Sequence, residues 1–149
     1  MYDISNRFYN PSKLYTLKHP IMSVNEKKFF KIMREKLGNN YIITPQINLQ
    51  SIIETPLSNS RNDELFRNVD FGIFDTEMYH PLMLIEINGK QHSNEEYWRK
   101  RDKSVKEILE SAGLMLYTIN NEDLKGDTNK LTKEIIEIIL KIDNLNFFI

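Results

Sequence analysis

The chain contains no cysteine. A disulfide scaffold, a thiolate zinc site and a cysteine nucleophile are therefore all excluded. Its three histidines (His19, His80 and His92) are isolated in sequence and do not make a His-rich metal cage. A metal here is expected to be a hard cation held by carboxylates. No apolar run reaches the length of a membrane span, and the first twenty residues do not read as a signal peptide. A cytoplasmic protein without a membrane partner is the expectation. Charge of one sign is missing too: the formal net charge is −1, so nothing in the total points to nucleic acid. Such a partner has to be argued from local charge. Glycine and proline are scarce, five of each in 149 residues, and 40% of the chain is hydrophobic. That is the balance of one globular domain, not of a disordered or fibrous chain.

What is present reads as alternating helices and strands. Residues 1–22 carry four aromatics with Pro11 and Pro20, and look like an arm laid over a single domain spanning 23–149. Ser23 and Glu26 have the spacing of a capping box. Phe30, Met33 and Leu37 follow at helical spacing, with Phe29 beside them, and Gly38 is a natural stop. A strand is expected over 41–47, then a helical turn and a loop through 67. Two strands follow, 68–75 and 82–88, close enough to form an antiparallel hairpin. A second capping box, Ser93 with Glu96, opens a helix over 95–112 whose inner stripe is Trp98, Val105, Ile108, Leu109 and Ala112. A buried strand over 114–119 and a C-terminal helix from 128 complete the chain, with Leu131, Ile135, Ile138, Ile139 and Ile142 inward. The helix between the third and fourth strands is a crossover, so those strands are expected to run parallel. The class is α/β, a mixed sheet with helices on both faces.

Two acids break this pattern. Glu86 interrupts the apolar run Leu82-Met83-Leu84-Ile85, and Asp70 stands between Val69 and Phe71. Burying a lone carboxylate is costly unless it is paired or binds a metal. Their midpoint is Met78, in the hairpin turn, so a symmetric hairpin sets the two carboxylates opposite one another. Glu86 and Asn88 share a strand face. An oxygen-rich cluster of Asp70, Glu86 and Asn88 suits Mg²⁺ or Mn²⁺. A buried ion network with Arg or Lys explains the same acids equally well. Arg101 falls on the inner stripe of helix 95–112 and is a candidate partner for the carboxylates or for a phosphate. Glu26 is explained by its cap. His92 and Lys90 lie between the strand and the helix and are candidates to contact phosphate. Six bases between Lys90 and Lys106, and Lys27, Lys28, Lys31, Arg34 and Lys36 on the first helix, add local positive charge; a solvated helix face is the commoner meaning of such runs.

Taken together, Val69-Asp70-Phe71, then Ile85-Glu86-Ile87-Asn88-Gly89 with His92, then Arg101-Asp102, resemble the PD-(D/E)XK nucleases. These have the restriction-endonuclease-like αβββαβ core and include very-short-patch-repair-like enzymes. Within them the chain is most similar to the bacterial domain of unknown function 2726, whose members share a helix with an early Glu and a strand ending in Pro-Gln, here Pro45-Gln46. The resemblance covers residues 23–120. It implies a Mg²⁺-dependent phosphodiester hydrolase, with Mn²⁺ able to substitute, and DNA rather than RNA is the expected nucleic acid. Asp70, Glu86 and the carbonyl of Ile87 would bind the metal. Asn88 occupies the place of the signature lysine, and can hold a water but supplies no charge. Lys90, His92 and Arg101 are the expected compensations, and Glu26 matches an acid that some members carry on the first helix. The alternative is a weakened or inactive module of the same fold that binds nucleic acid or a protein. A double-strand cut would call for a homodimer, and the apolar tail Leu145-Asn146-Phe147-Phe148-Ile149 is the surface offered for one.

Overall fold

The computed structural model describes residues 14, 15, 18, 20–55, 65–78, 80–88 and 95–146. Residues 1–13, 16, 17 and 19 of the N-terminal arm, the loop at 56–64, Lys90, His92, Ser93 with its expected capping box, the Trp98 side chain and residues 147–149 of the tail lie outside the described residues.

Three helices and four strands follow in the order α1 (Val24–Leu37), β1 (Tyr41–Asn48), β2 (Asn68–Asp75), β3 (Pro81–Asn88), α2 (Glu95–Ser111), β4 (Leu116–Asn120) and α3 (Asn129–Asn146). Short 3₁₀ turns occupy Leu49–Ser51 and Asn121–Leu124. The sheet order is β1-β2-β3-β4. The first two pairings are antiparallel and β3–β4 is parallel. The hairpin and the crossover are thus as the sequence implies.

Local chemistry sets the boundaries. Ser23 caps α1 in both directions: its hydroxyl accepts the Glu26 N–H, and its own N–H donates to Glu26 Oε2 at 2.6 Å. Gly38 closes the helix at φ 57°, where a side chain would be strained. Asn48 Oδ1 accepts the Gln50 N–H at 2.9 Å and turns the chain out of β1.

Two clusters hold the layers together. On one face Phe29, Met33 and Leu37 of α1 and Ile135 and Ile139 of α3 pack against Ile43, Phe71, Ile73, Met83 and Ile85. On the other, Val105 and Leu109 of α2 pack with Leu49, Leu65, Val69 and Leu84. Helices cover both faces, which is why Phe71–Phe74 and Leu82–Ile85 are buried continuously. Two stripe positions differ from expectation: Phe29 is fully buried where Phe30 is half-buried, and Ala112 is exposed at the end of α2. Adjacent helix positions point about 100° apart, which sets Phe29 on the sheet and Phe30 at the edge of the stripe; Ala112 lies beyond Ser111, the last residue of α2. Tyr41 Oη donates to Asp143 Oδ2 at 2.7 Å and ties α3 to the edge strand.

One irregularity organises the rest. Gln46 has φ 55° within β1. Pairs on either side, Pro45 with Phe71 and Ile47 with Val69, put it opposite Asp70. Ile43 belongs to the α1/α3 cluster, but Ile47 packs with the α2 cluster. Regular alternation would keep residues four apart on one face. Across from them Phe71 and Val69 divide the same way. Both strands therefore change faces at the level of Gln46 and Asp70, and Asp70 emerges between the two layers.

Candidate functional site

Asp70 opposes the middle of the sheet's most apolar strand. The β2–β3 register runs through Phe71–Ile85 and, continued by one step, sets Asp70 opposite Glu86. The expected hairpin geometry is met, and Met78 sits in the turn at φ 60°. The two acids do not bond the same group, however. Asp70 Oδ2 accepts the backbone N–H of Ile87 at 2.7 Å, a donor that a strand carbonyl would otherwise take. Its carboxyl also hydrogen-bonds Glu26, at the start of α1. Burial is the largest influence on Asp70 and pushes it up. The Ile87 N–H opposes that rise, while the charges of Glu26 and Glu86 and the bond to Glu26 add to it, bringing Asp70 to about 6. Glu26 goes the other way. Burial raises it, but the Ser23 hydroxyl and N–H, the Asp70 carboxyl and the Lys18 charge together hold it below its ordinary value. Below about pH 6 the pair therefore carries its proton on Asp70 rather than on Glu26.

Glu26 is accordingly both cap and site residue. Sequence spacing suffices to find the cap; only the packing of α1 on the sheet brings its carboxyl to Asp70.

Glu86 points toward α2. Its Oε1 accepts Arg67 Nη2 at 2.5 Å, and Arg67 Nη1 donates to Asp102 Oδ1 at 2.6 Å. Arg67 and Glu86 are largely buried and Asp102 is half-exposed. Arg67 is the residue that the sequence reading misses. It belongs to the segment taken as a loop, and no periodicity marks it; a lone Arg next to the Asn68–Asp75 strand was its only signal. Asp102 meets Arg67, the neighbour of neither in sequence. Arg101 is half-buried on α2, and Asn88 is exposed at the end of β3, beside Asn120 of β4. Lys90 and His92 lie outside the described residues.

Part of the local positive charge is taken up in ordinary contacts. On α2, Lys100, Lys103 and Lys106 each face a glutamate four residues away, at 3.5–4.0 Å. Exposed pairs of this kind contribute little. On α1, Lys28 Nζ donates to the Leu124 carbonyl, and Arg34 lies over the Phe30 ring at 5.8 Å. These bases serve packing and a solvated face.

Among the described residues no three His, Asp or Glu side chains converge into a ready-made metal cage. Mg²⁺ does not need one, because it keeps several waters and is commonly bound through one or two carboxylates plus substrate phosphate. The donors at this corner are carboxylate and carbonyl oxygens, and the carboxyls of Asp70 and Glu26 hydrogen-bond one another. That chemistry fits a hard divalent cation. No helix among the described residues is long and apolar enough to cross a membrane.

A family described as protein of unknown function (DUF2726) matches residues 18–139. No curated protein and no solved structure matches the chain.

Proposed function

The chain belongs to the DUF2726 family, and from its carboxylate corner we propose a metal-dependent nuclease that hydrolyses phosphodiester bonds, with DNA as its substrate. The observation that carries this reading is Asp70, an acid lifted to about 6 between two sheet faces, with Glu26 and Glu86 both acting on it. Desolvated acids with a shifted titration and a named charged neighbour are concentrated at working sites. The element order α-β-β-β-α-β, with its antiparallel hairpin and parallel final strand, agrees with the restriction-endonuclease-like core.

Asp70, Glu86 and the Ile87 carbonyl would hold Mg²⁺ or Mn²⁺, which when bound supplies Lewis acidity toward a phosphate oxygen and acidifies a water. The chain's own residues do the rest. Asp70, ionised above about pH 6, would be available as a ligand. Glu26, already ionised and fixed by Ser23, stands within hydrogen-bond reach of Asp70. The Ile87 N–H fixes the Asp70 rotamer. Asn88 holds a water through its amide, and Lys90, His92 and Arg101 remain candidates to contact phosphate.

The second reading is a catalytically weakened or inactive module of this fold, binding nucleic acid or a protein partner. The Arg67–Glu86 bond favours it, because it gives Glu86 a purely structural occupation. Supercoiled-plasmid cleavage with Mg²⁺, Mn²⁺ or EDTA decides between them, using wild type beside Asp70→Ala and Glu86→Ala. Metal-dependent nicking lost in both variants supports the nuclease. A folded wild type inert on plasmid, single strands and branched DNA moves the function to the binding-only module.

A further inference from the structure

A phosphodiester brings a negative charge to a corner that already holds Glu26, Asp70, Glu86 and Asp102. Position 88, where the resemblance leads one to look for a lysine, carries a neutral amide. We propose, building on the nuclease reading, that Arg67 is the phosphate-binding cation of this site and supplies the positive charge that Asn88 lacks.

Three features support the assignment. Arg67 immediately precedes β2, three residues before Asp70, so the strand that carries the first acid also carries the cation. Its guanidinium is bonded to the second acid, at Glu86 Oε1, which puts it at the corner rather than near it. Asp102, half-exposed on α2, holds Nη1 at the solvent edge of the pair. A guanidinium offers five donors in a planar fork suited to phosphate. Among the described residues its hydrogen bonds are the two to Glu86 and Asp102. In the metal-free protein Arg67 neutralises Glu86. With Glu86 drawn to a bound cation, the Nη2 donor would be freed for the phosphate while Asp102 would keep the guanidinium in place.

The rival is a bracket that only ties β2 and β3 to α2. Moving the charge separates the two. Arg67→Met, Asn88→Lys and the double variant are compared with wild type in Mg²⁺-dependent plasmid cleavage. Binding of a short DNA duplex is followed in Ca²⁺ across a salt series. Arg67→Met is expected to lower cleavage by about 10²–10³-fold and to reduce the salt slope of duplex binding by about one. Adding Asn88→Lys should restore cleavage at least about tenfold and return the slope, which a bracket cannot explain. Full cleavage by Arg67→Met, or no recovery of either readout in a folded double variant, overturns the assignment. If Arg67→Met does not fold, Arg67→Lys serves instead. A retained slope with reduced cleavage supports the proposal, and a slope lowered as if the charge were gone overturns it. Wild type that neither cuts nor binds the duplex brings down the nuclease reading itself, whereas wild type that cuts as well as Arg67→Met removes Arg67 alone.

Discussion

Asp70 accepts the backbone N–H of Ile87 through its side chain, at 2.7 Å, so an acid has taken the place of a strand carbonyl between β2 and β3. The backbone pairing of these strands stops at Phe71 and Ile85, one step before Asp70 would face Glu86. A carboxyl committed to the sheet and simultaneously pressed against Glu26 has consequences for stability that do not depend on what the site does.

The first concerns pH. Folded Asp70 titrates near 6, above its ordinary 3.8, with burial the main cause. Its contribution to stability is therefore complete below the unfolded value and is lost as pH rises through about 6. Glu26 has the opposite sign and matters only as pH falls toward its ordinary 4.5. From about pH 5 to about pH 7 the Asp70 effect dominates. Metal-free Asp70→Asn should melt higher than wild type at pH 7 by about 2–4 °C, corresponding to about 1 kcal/mol after allowing for solvent screening of a half-buried group. The gap should close at pH 5. A variant that melts lower than wild type at both values would show that Asp70 stabilises the fold as an ion.

Metal should act in the same window. A cation that binds only the native protein raises stability by about 1.4 kcal/mol at tenfold its dissociation constant. Differential scanning fluorimetry with Mg²⁺ and Mn²⁺ is expected to show a rising Tm for wild type at pH 7.5, and none for Asp70→Ala or Glu86→Ala. An equal rise in all three proteins would place the binding elsewhere.

Gly72 tests the packing behind the site. A Cβ built there would stand 2.7 Å from the Phe74 ring and 2.9 Å from Ile47 Cγ1. Both neighbours are held in packed layers, so Gly72→Ala should cost about 1–3 kcal/mol. Urea unfolding measures it directly; a change below about 0.5 kcal/mol would mean that the two side chains move aside freely.

Gln46 tests the change of faces. At φ 55° a branched side chain is strained where glycine is not. Gln46→Gly is expected to stay within about 0.5 kcal/mol of wild type, relief of strain offsetting a more flexible unfolded chain. Gln46→Val should lose about 1–2 kcal/mol. Equal stabilities for the two variants would remove strain as the reason for the kink.

The cap of α1 provides a further check. Ser23→Ala removes the hydroxyl that bonds the Glu26 N–H and should cost about 1 kcal/mol. It also removes one of the influences holding Glu26 low. NMR titration of the Glu26 carboxyl should move upward in the variant; an unchanged titration would leave the Ser23 backbone N–H, Asp70 and Lys18 as its governing neighbours.

Much of this architecture is written in local pattern. The S-x-x-E spacing is enough to start α1 because a cap is a contact within one turn. The β2–β3 register follows from the distance between two apolar runs, which is why Asp70 and Glu86 were legible as opposite one another. The crossover through α2 makes β3 and β4 parallel for reasons of chain length and handedness. The partners of the acids are another matter. Glu26 reaches Asp70 only because α1 lies over the sheet, and Arg67 reaches both Glu86 and Asp102 across 19 and 35 residues of sequence. Gln46 looks like any strand residue until its left-handed backbone sends Ile43 and Ile47 to different layers. Hydrophobic periodicity determines which elements form and which way they face, because burial of apolar area is additive along the chain. Which polar atoms share a proton or an ion pair is decided by distances between elements, and those exist only once the layers have packed.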